Sequence, residues 1–157
     1  AIESLKNSLF NTKNSINTTP HPFNKLGKVK AEIVGGNLSI LYSLLGSCSD
    51  VSTNGKILFI EDLDEYLYHI DRMMMSLKRN GKLENLKGMI VGGMSDMNDN
   101  DIPFGKTAEQ IILDHTKDYT FPICFGFPAG HLNDNRCVKF GVTSVLEITE
   151  NGVSLSQ

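Results

Sequence analysis

The sequence predicts an α/β domain whose mixed sheet curls toward a barrel. Apolar, strand-like runs alternate with helical periodicities through the first two thirds of the chain. Near the C-terminus, strand-like runs instead follow one another without intervening helices. The chain has 157 residues, 40% apolar and 21% charged, which suffices for one real core but not for two ordinary domains.

Taken in order, IESLKNSLF (2–10) places Ile2, Leu5 and Leu9 at helical spacing. NTKNSINTTPHPFNK (11–25) is rich in Asn, Thr and Pro, lacks periodicity, and reads as a linker or long loop without regular structure. A helical stub and linker over 1–27 predict that the chain arrives from a preceding domain, with the compact unit spanning 28–157. KAEIV leads as a strand into Gly35-Gly36, and Asn37 caps a helix carrying Leu38, Leu41, Leu44 and Leu45. Asn54-Gly55 marks a turn before the strand KILFI. From Glu65 to Arg79 the residues Tyr66, Ile70, Met73, Met74 and Leu77 recur at helical spacing, and Gly81 stands where a helix end favours it.

LKGMIVGG (86–93) is a second central strand, and residues 105–117 form a further helix. YTFPICFGF contains a short strand. RCVKFG, SVLEIT and VSLS read as antiparallel strands, with Asn151-Gly152 the clearest turn.

Composition narrows the function. The net charge is −3 with Lys and Arg scattered, so a nucleic-acid partner has little electrostatic support. No apolar run approaches a membrane span, and no secretory signal opens the chain. Cys48, Cys124 and Cys137 form neither a disulfide framework nor a zinc motif, which points to reduced thiols in a cytosolic protein. No cofactor or metal is expected.

Chemistry is concentrated in two places. In ILFIEDLDE (57–65), an apolar strand ends in Glu61, Asp62, Asp64 and Glu65. A carboxylate just past a buried strand lies where α/β folds present functional groups, and such a group can orient a histidine during acyl transfer. Glu61 is the candidate. Asp62, Asp64 and Glu65 read instead as solvated residues that start the next helix, where acids offset the macrodipole. His131, in FPAGHLNDN, lies on a Gly- and Pro-rich loop after a short strand, a setting that suits a displayed catalytic group as well as an ordinary loop histidine. His21, His69 and His115 form no metal-ligand spacing.

A histidine and a glutamate imply a nucleophile. Ser95 in GGMSD follows a strand as in a nucleophile elbow, yet a polar loop rather than a helix continues from it. Ser49 in GSCSD follows a helix. Neither fits well, and the nucleophile is expected to lie elsewhere. Met73, Met74 and Met75 span more than one helix face, so two are expected in the core and one outside. Asp71-Arg72 is expected in ion pairs on the helix or at a subunit contact.

These segments resemble the C-terminal domain of the LD-carboxypeptidases, a serine peptidase family that includes microcin-resistance proteins. GGNLSIL (35–41), KILFIEDLDEYLYHIDRMMMSL (56–77), MIVGGMSD and FPAGHLNDN with the following VKFG resemble the family's blocks, in order, over about 28–155. The resemblance implies a swivelling β/β/α-like fold and cytoplasmic removal of the terminal D-alanine from peptidoglycan-derived tetrapeptides by a Ser-His-Glu triad. It places the glutamate at Glu61 and the histidine at His131. The serine falls in a Gly-x-Ser-Asp motif of an N-terminal nucleophile domain ahead of this region, so this chain alone is expected to be inactive. A homodimer is also implied.

Leu132, Lys139 and His69 depart from the family pattern, which leaves muropeptide, peptide and peptide-nucleotide substrates open. Two other readings stand beside the enzyme half: a dimerising or binding module without chemistry, and a self-sufficient hydrolase using Ser95.

Overall fold

The computed structural model describes residues 1–10 and 14–157. Its centre is a seven-stranded sheet ordered β1-β7-β6-β2-β3-β4-β5. The strands are β1 (Ser15–Thr18), β2 (Gly27–Asn37), β3 (Ile57–Leu63), β4 (Gly88–Ser95), β5 (Ile123–Cys124), β6 (Thr143–Thr149) and β7 (Gly152–Ser156). Helices α1 (Ile2–Leu9), α2 (Leu38–Leu44), α3 (Leu67–Arg79) and α4 (Ala108–Thr116) complete the chain.

β2 joins two differently built halves. Residues Gly27 to Glu32 pair antiparallel with β6, and Ile33 to Asn37 pair parallel with β3. Parallel pairs need crossovers, which α2, α3 and α4 supply between β2, β3, β4 and β5. Strand alternation then sorts the side chains. Leu58, Ile60, Met89 and Val91 pack with residues of α2, α3 and α4, including Leu38, Ile70, Met73, Met74 and Ile112. Ile57, Phe59 and Ile90 point the other way, into a second cluster with Ile16, Leu146, Ile148, Val153 and Leu155 from the antiparallel strands. The result is helices, parallel strands and antiparallel strands in successive layers. It also explains why ILFI is apolar throughout, because a strand covered on both faces has no solvent side.

The sheet remains open, with β1 and β5 at its edges. It curls as expected without closing: side chains of β1, β6 and β7 pack with those of β3 and β4, and Lys25, just ahead of β2, exchanges backbone hydrogen bonds of 2.9 and 3.1 Å with Ile123 on the far edge.

Helix α2 is capped by Asn37, whose side chain accepts from the Ile40 amide, as the sequence predicts. α4 has a reciprocal capping box, with Thr107 accepting from the Gln110 amide and Gln110 accepting from the Thr107 amide. Met73 and Met74 are buried and Met75 is exposed.

Three segments differ from the sequence reading. Of the expected loop at 11–25, residues 11–13 lie outside the described residues, but Ser15–Thr18 is a strand paired with β7. Only Ile16 is apolar within SINT, too short a pattern to read, yet it is buried and its strand covers the β7 edge. RCVKFG is not a strand. Side chains take part of its backbone, the Cys137 amide going to the Ser4 hydroxyl and both Lys139 backbone groups to the Gln157 amide, while the Arg136 and Gly141 amides donate to the Pro128 and Ile33 carbonyls. Finally, α1 turns its stripe outward: Ile2, Leu5, Leu9 and Phe10 are exposed, and the buried residue is Ser4.

Candidate functional site

The site lies where β3 and β4 end. Period-2 alternation puts Glu61 on the same side as Ile57 and Phe59, facing away from the helices. Asp62 faces the helix side, and opposite Glu61 the register with β4 shifts, two residues of β3 spanning three of β4 between Ile60–Val91 and Asp62–Met94. One residue of strand therefore decides which acid meets which partner.

The loop carrying His131 is laid along β4. The Phe127 amide donates to the Val91 carbonyl and the Gly93 amide to the Ala129 carbonyl, both at 3.0 Å. This close approach depends on missing side chains. A Cβ at Gly92 would lie 2.4 Å from the Ala129 carbonyl oxygen. Gly130 has φ +107°, and a Cβ there would lie 2.6 Å from Glu61 Oε2.

Into this space Glu61 places its carboxylate. Its Oε2 accepts the His131 backbone amide at 3.1 Å and pairs with His131 Nδ1 at 2.7 Å. The Glu61 side chain is 7% exposed and that of His131 51%. A buried carboxylate requires such partners, because desolvation penalises an unpaired charge. With Nδ1–H donating to Glu61, Nε2 is left as the basic nitrogen, and the exposed ring can present it to a reactant. An open groove of about 300 Å³, lined by Phe59, Glu61, Gly130, Arg136 and Phe140 among others, adjoins the carboxylate.

The other acids correct the sequence reading. None of them lies in the first turn of α3. Asp62 is buried rather than solvated, accepting from Asn37 Nδ2 at 2.7 Å, the Ser39 amide at 2.9 Å and the Leu63 amide at 2.9 Å. It thus locks the Gly35-Gly36-Asn37 turn to the end of β3, and burial pushes its carboxyl above the ordinary aspartate range. Asp64 adopts a left-handed φ of 59° and accepts from Asn98 Nδ2 at 2.8 Å. Glu65 pairs with His69 at 2.6 Å.

Ser95 is engaged: its hydroxyl donates to the His131 carbonyl at 2.7 Å. Ser49 lies in the segment leading into the start of β3, whereas Glu61 is near that strand's end. Asp71 pairs with His115 Nε2 at 2.8 Å across α3 and α4, and Arg72 lies over the Tyr68 ring. His21 stacks on Phe125. The three cysteines are free, and burial pushes the Cys124 thiol up to about 12. Among the described residues, no group of three or more His, Cys, Asp and Glu side chains could hold a metal ion. No described helix is long and apolar enough to cross a membrane.

The sequence search missed Asp62 and Asn37 as a coupled pair. The signal was present in Gly-Gly-Asn followed by an acid one residue beyond Glu61, but linking the two needs the parallel register that sets Asn37 opposite Glu61.

An imidazole held on one ring nitrogen by a buried carboxylate, with its other side open, is a geometry that can support proton transfer. The chain belongs to the LD-carboxypeptidase C-terminal domain family, whose model matches residues 30–146. It is 38% identical over 128 residues to a probable murein peptide carboxypeptidase of Bacillus subtilis, a match covering 79% of this chain and 39% of that protein. A crystal structure of muramoyltetrapeptide carboxypeptidase from Oxalobacter formigenes superposes with TM-score 0.87 at 23% identity, covering 99% of this chain and 53% of that one. The microcin C7 self-immunity protein MccF of Escherichia coli, in complex with aspartyl sulfamoyl adenosine, superposes with TM-score 0.73 at 23% identity over 85% of this chain and 40% of that one. The chain thus spans about two fifths of the length of that Bacillus relative.

Proposed function

We propose that this chain is the C-terminal domain of a serine-type LD-carboxypeptidase that removes the terminal D-alanine from peptidoglycan-derived tetrapeptides in the cytoplasm. The observation that carries this reading is the Glu61–His131 pair, with a buried carboxylate on Nδ1 and an exposed imidazole beyond it. His131 Nε2 takes the proton of the attacking serine hydroxyl and returns it to the leaving amine. Glu61 holds the ring and stabilises the imidazolium between those steps. The serine comes from a Gly-x-Ser-Asp segment of a preceding domain, with the residues ahead of β1 as the approach to the C-terminal unit. Support for a preceding domain comes from the partial coverage of the relatives and from the exposed apolar stripe of α1. A homodimer is part of the same proposal, with the exposed Met75 on α3 available at its interface.

The test is hydrolysis of a murein tetrapeptide, followed by release of D-alanine. The 157-residue chain alone is expected to show none, and the protein that includes the preceding domain is expected to be active. Turnover by the chain alone that is lost in Ser95→Ala would overturn the reading.

A further inference from the structure

We infer that Ser95 is a positioning residue for His131, acting through the histidine's backbone rather than on any substrate. The inference rests on the reading of Glu61 and His131 as an orienting carboxylate and its base.

His131 is gripped on both sides of its Cα by neighbouring strands. Its amide and its Nδ1 go to Glu61 on β3, and its carbonyl accepts the Ser95 hydroxyl on β4. The two gripping residues are held in mutual register, since Leu63 pairs with Ser95 and the Asp64 amide donates to the Ser95 carbonyl at 3.0 Å.

The loop is tied to β4 ahead of His131 at Phe127 and Ala129, and to other parts of the chain again at Arg136 and Cys137, so the stretch that carries the histidine has fewer anchors of its own. The Gly130 amide donates to Asn135 Oδ1 at 3.2 Å, the Leu132 amide to the Gly130 carbonyl at 2.9 Å and the Arg136 amide to the Pro128 carbonyl at 2.8 Å, all within the loop itself. Two of these bonds shape the loop around Gly130, and none ties the peptide after His131 to the sheet. Ser95 alone holds that peptide among the described side-chain contacts of His131. Without it the His131 carbonyl loses its bond to β4, leaving the 131–132 peptide held by the Leu132 amide within the loop and by Leu132 packed on Gly93, and the ring loses part of the support from which Nδ1 reaches Glu61. A positioned base depends on such outer support, because small displacements of a reacting group weaken its action steeply. The same bond explains the elbow-like look of GGMSD: the hydroxyl is there, but its proton is given to a carbonyl.

The experiment is NMR on the 157-residue chain labelled with ¹⁵N-histidine, reading the exchange of the His131 Nδ1 proton with water. The wild type is expected to show a protected Nδ1–H that Glu61→Gln exposes. Ser95→Ala is expected to exchange about tenfold faster, equivalent to about 1.4 kcal/mol of lost protection, with the β3 and β4 amide resonances unchanged. Ser95→Thr, which keeps the hydroxyl, is expected to stay within about twofold of wild type. Wild-type protection persisting in Ser95→Ala would overturn this inference alone. So would equal loss in Ser95→Ala and Ser95→Thr. A wild type with no protected Nδ1–H would overturn the underlying Glu61–His131 reading, and this inference with it.

Discussion

Two histidine–carboxylate pairs in this protein have nearly the same length and opposite burial. Glu61 and His131 meet at 2.7 Å, with the carboxylate 7% exposed and the imidazole 51%. Asp71 and His115 meet at 2.8 Å, with the carboxylate 47% exposed and the imidazole 8%. In the second pair the ring is enclosed between α3 and α4, and its partner faces water. That arrangement fastens two helices and offers no nitrogen to a reactant. In the first pair the acid is enclosed and takes its bonds from the His131 amide and ring, while the far side of the ring stays open. Distance alone does not distinguish a base from a fastener. On the proposed reading, which partner is buried does.

The comparison breaks most sharply through activity in a protein extended by the proposed preceding domain. His131→Ala and Glu61→Gln are each expected to lower kcat/KM on a tetrapeptide by at least about a hundredfold, the scale of a positioned general base. His115→Gln in the same assay is expected to leave it within a few-fold. Equal losses at the two histidines would erase the distinction drawn from burial.

Gly130→Ala probes the space that lets the first pair form. The added Cβ meets Glu61 Oε2 and sits on a left-handed backbone, so it is expected to cost about 1–3 kcal/mol by thermal denaturation and to suppress turnover as well. Stability then reverses the order of the histidines. His115→Ala is expected to cost about 2 kcal/mol through a lost buried hydrogen bond and a cavity. Asp71→Asn, half exposed to screening solvent, is expected to cost below about 1 kcal/mol.

The smallest effect belongs to Asp62, a carboxylate buried like Glu61 but held by amides instead of a histidine. Its folded carboxyl is raised above the ordinary value of 3.8, so the folded state keeps the proton to higher pH than the unfolded chain does. Its contribution is therefore most favourable below that value and declines as pH rises from there through the folded titration. Denaturant unfolding across this window should show that decline in wild type and its absence in Asp62→Asn. The variant itself is less stable near neutrality, since one amide oxygen replaces two carboxylate oxygens serving three donors.

Sequence and structure divide along physical lines. Local signals were legible: Asn37 as a cap, the Asn151-Gly152 turn between β6 and β7, the apolar runs of β3 and β4, and the burial of Met73 and Met74 beside an exposed Met75. The settings of Glu61 at a strand end and His131 on a Gly-rich loop made them candidates, and the family resemblance placed the glutamate and histidine there. What failed was whatever required knowing the neighbour. Ile16 joins the core because β7 lies beside it, and the α1 stripe faces outward because Ser4 is the residue that meets Cys137.

The sequence by itself determined the fold class, the alternation of strands and helices from β2 to α4 and the family resemblance, because periodicity, caps and turns are written in residues a few positions apart. Tertiary structure decided which of four adjacent carboxylates meets the histidine, since both faces of β3 are buried and alternation has no solvent side to mark. It decided too that Asp62 locks a turn and that Ser95 holds a backbone carbonyl. Those outcomes depend on strand register and on a loop laid 70 residues away in sequence, where only the packed sheet brings Glu61 and His131 together.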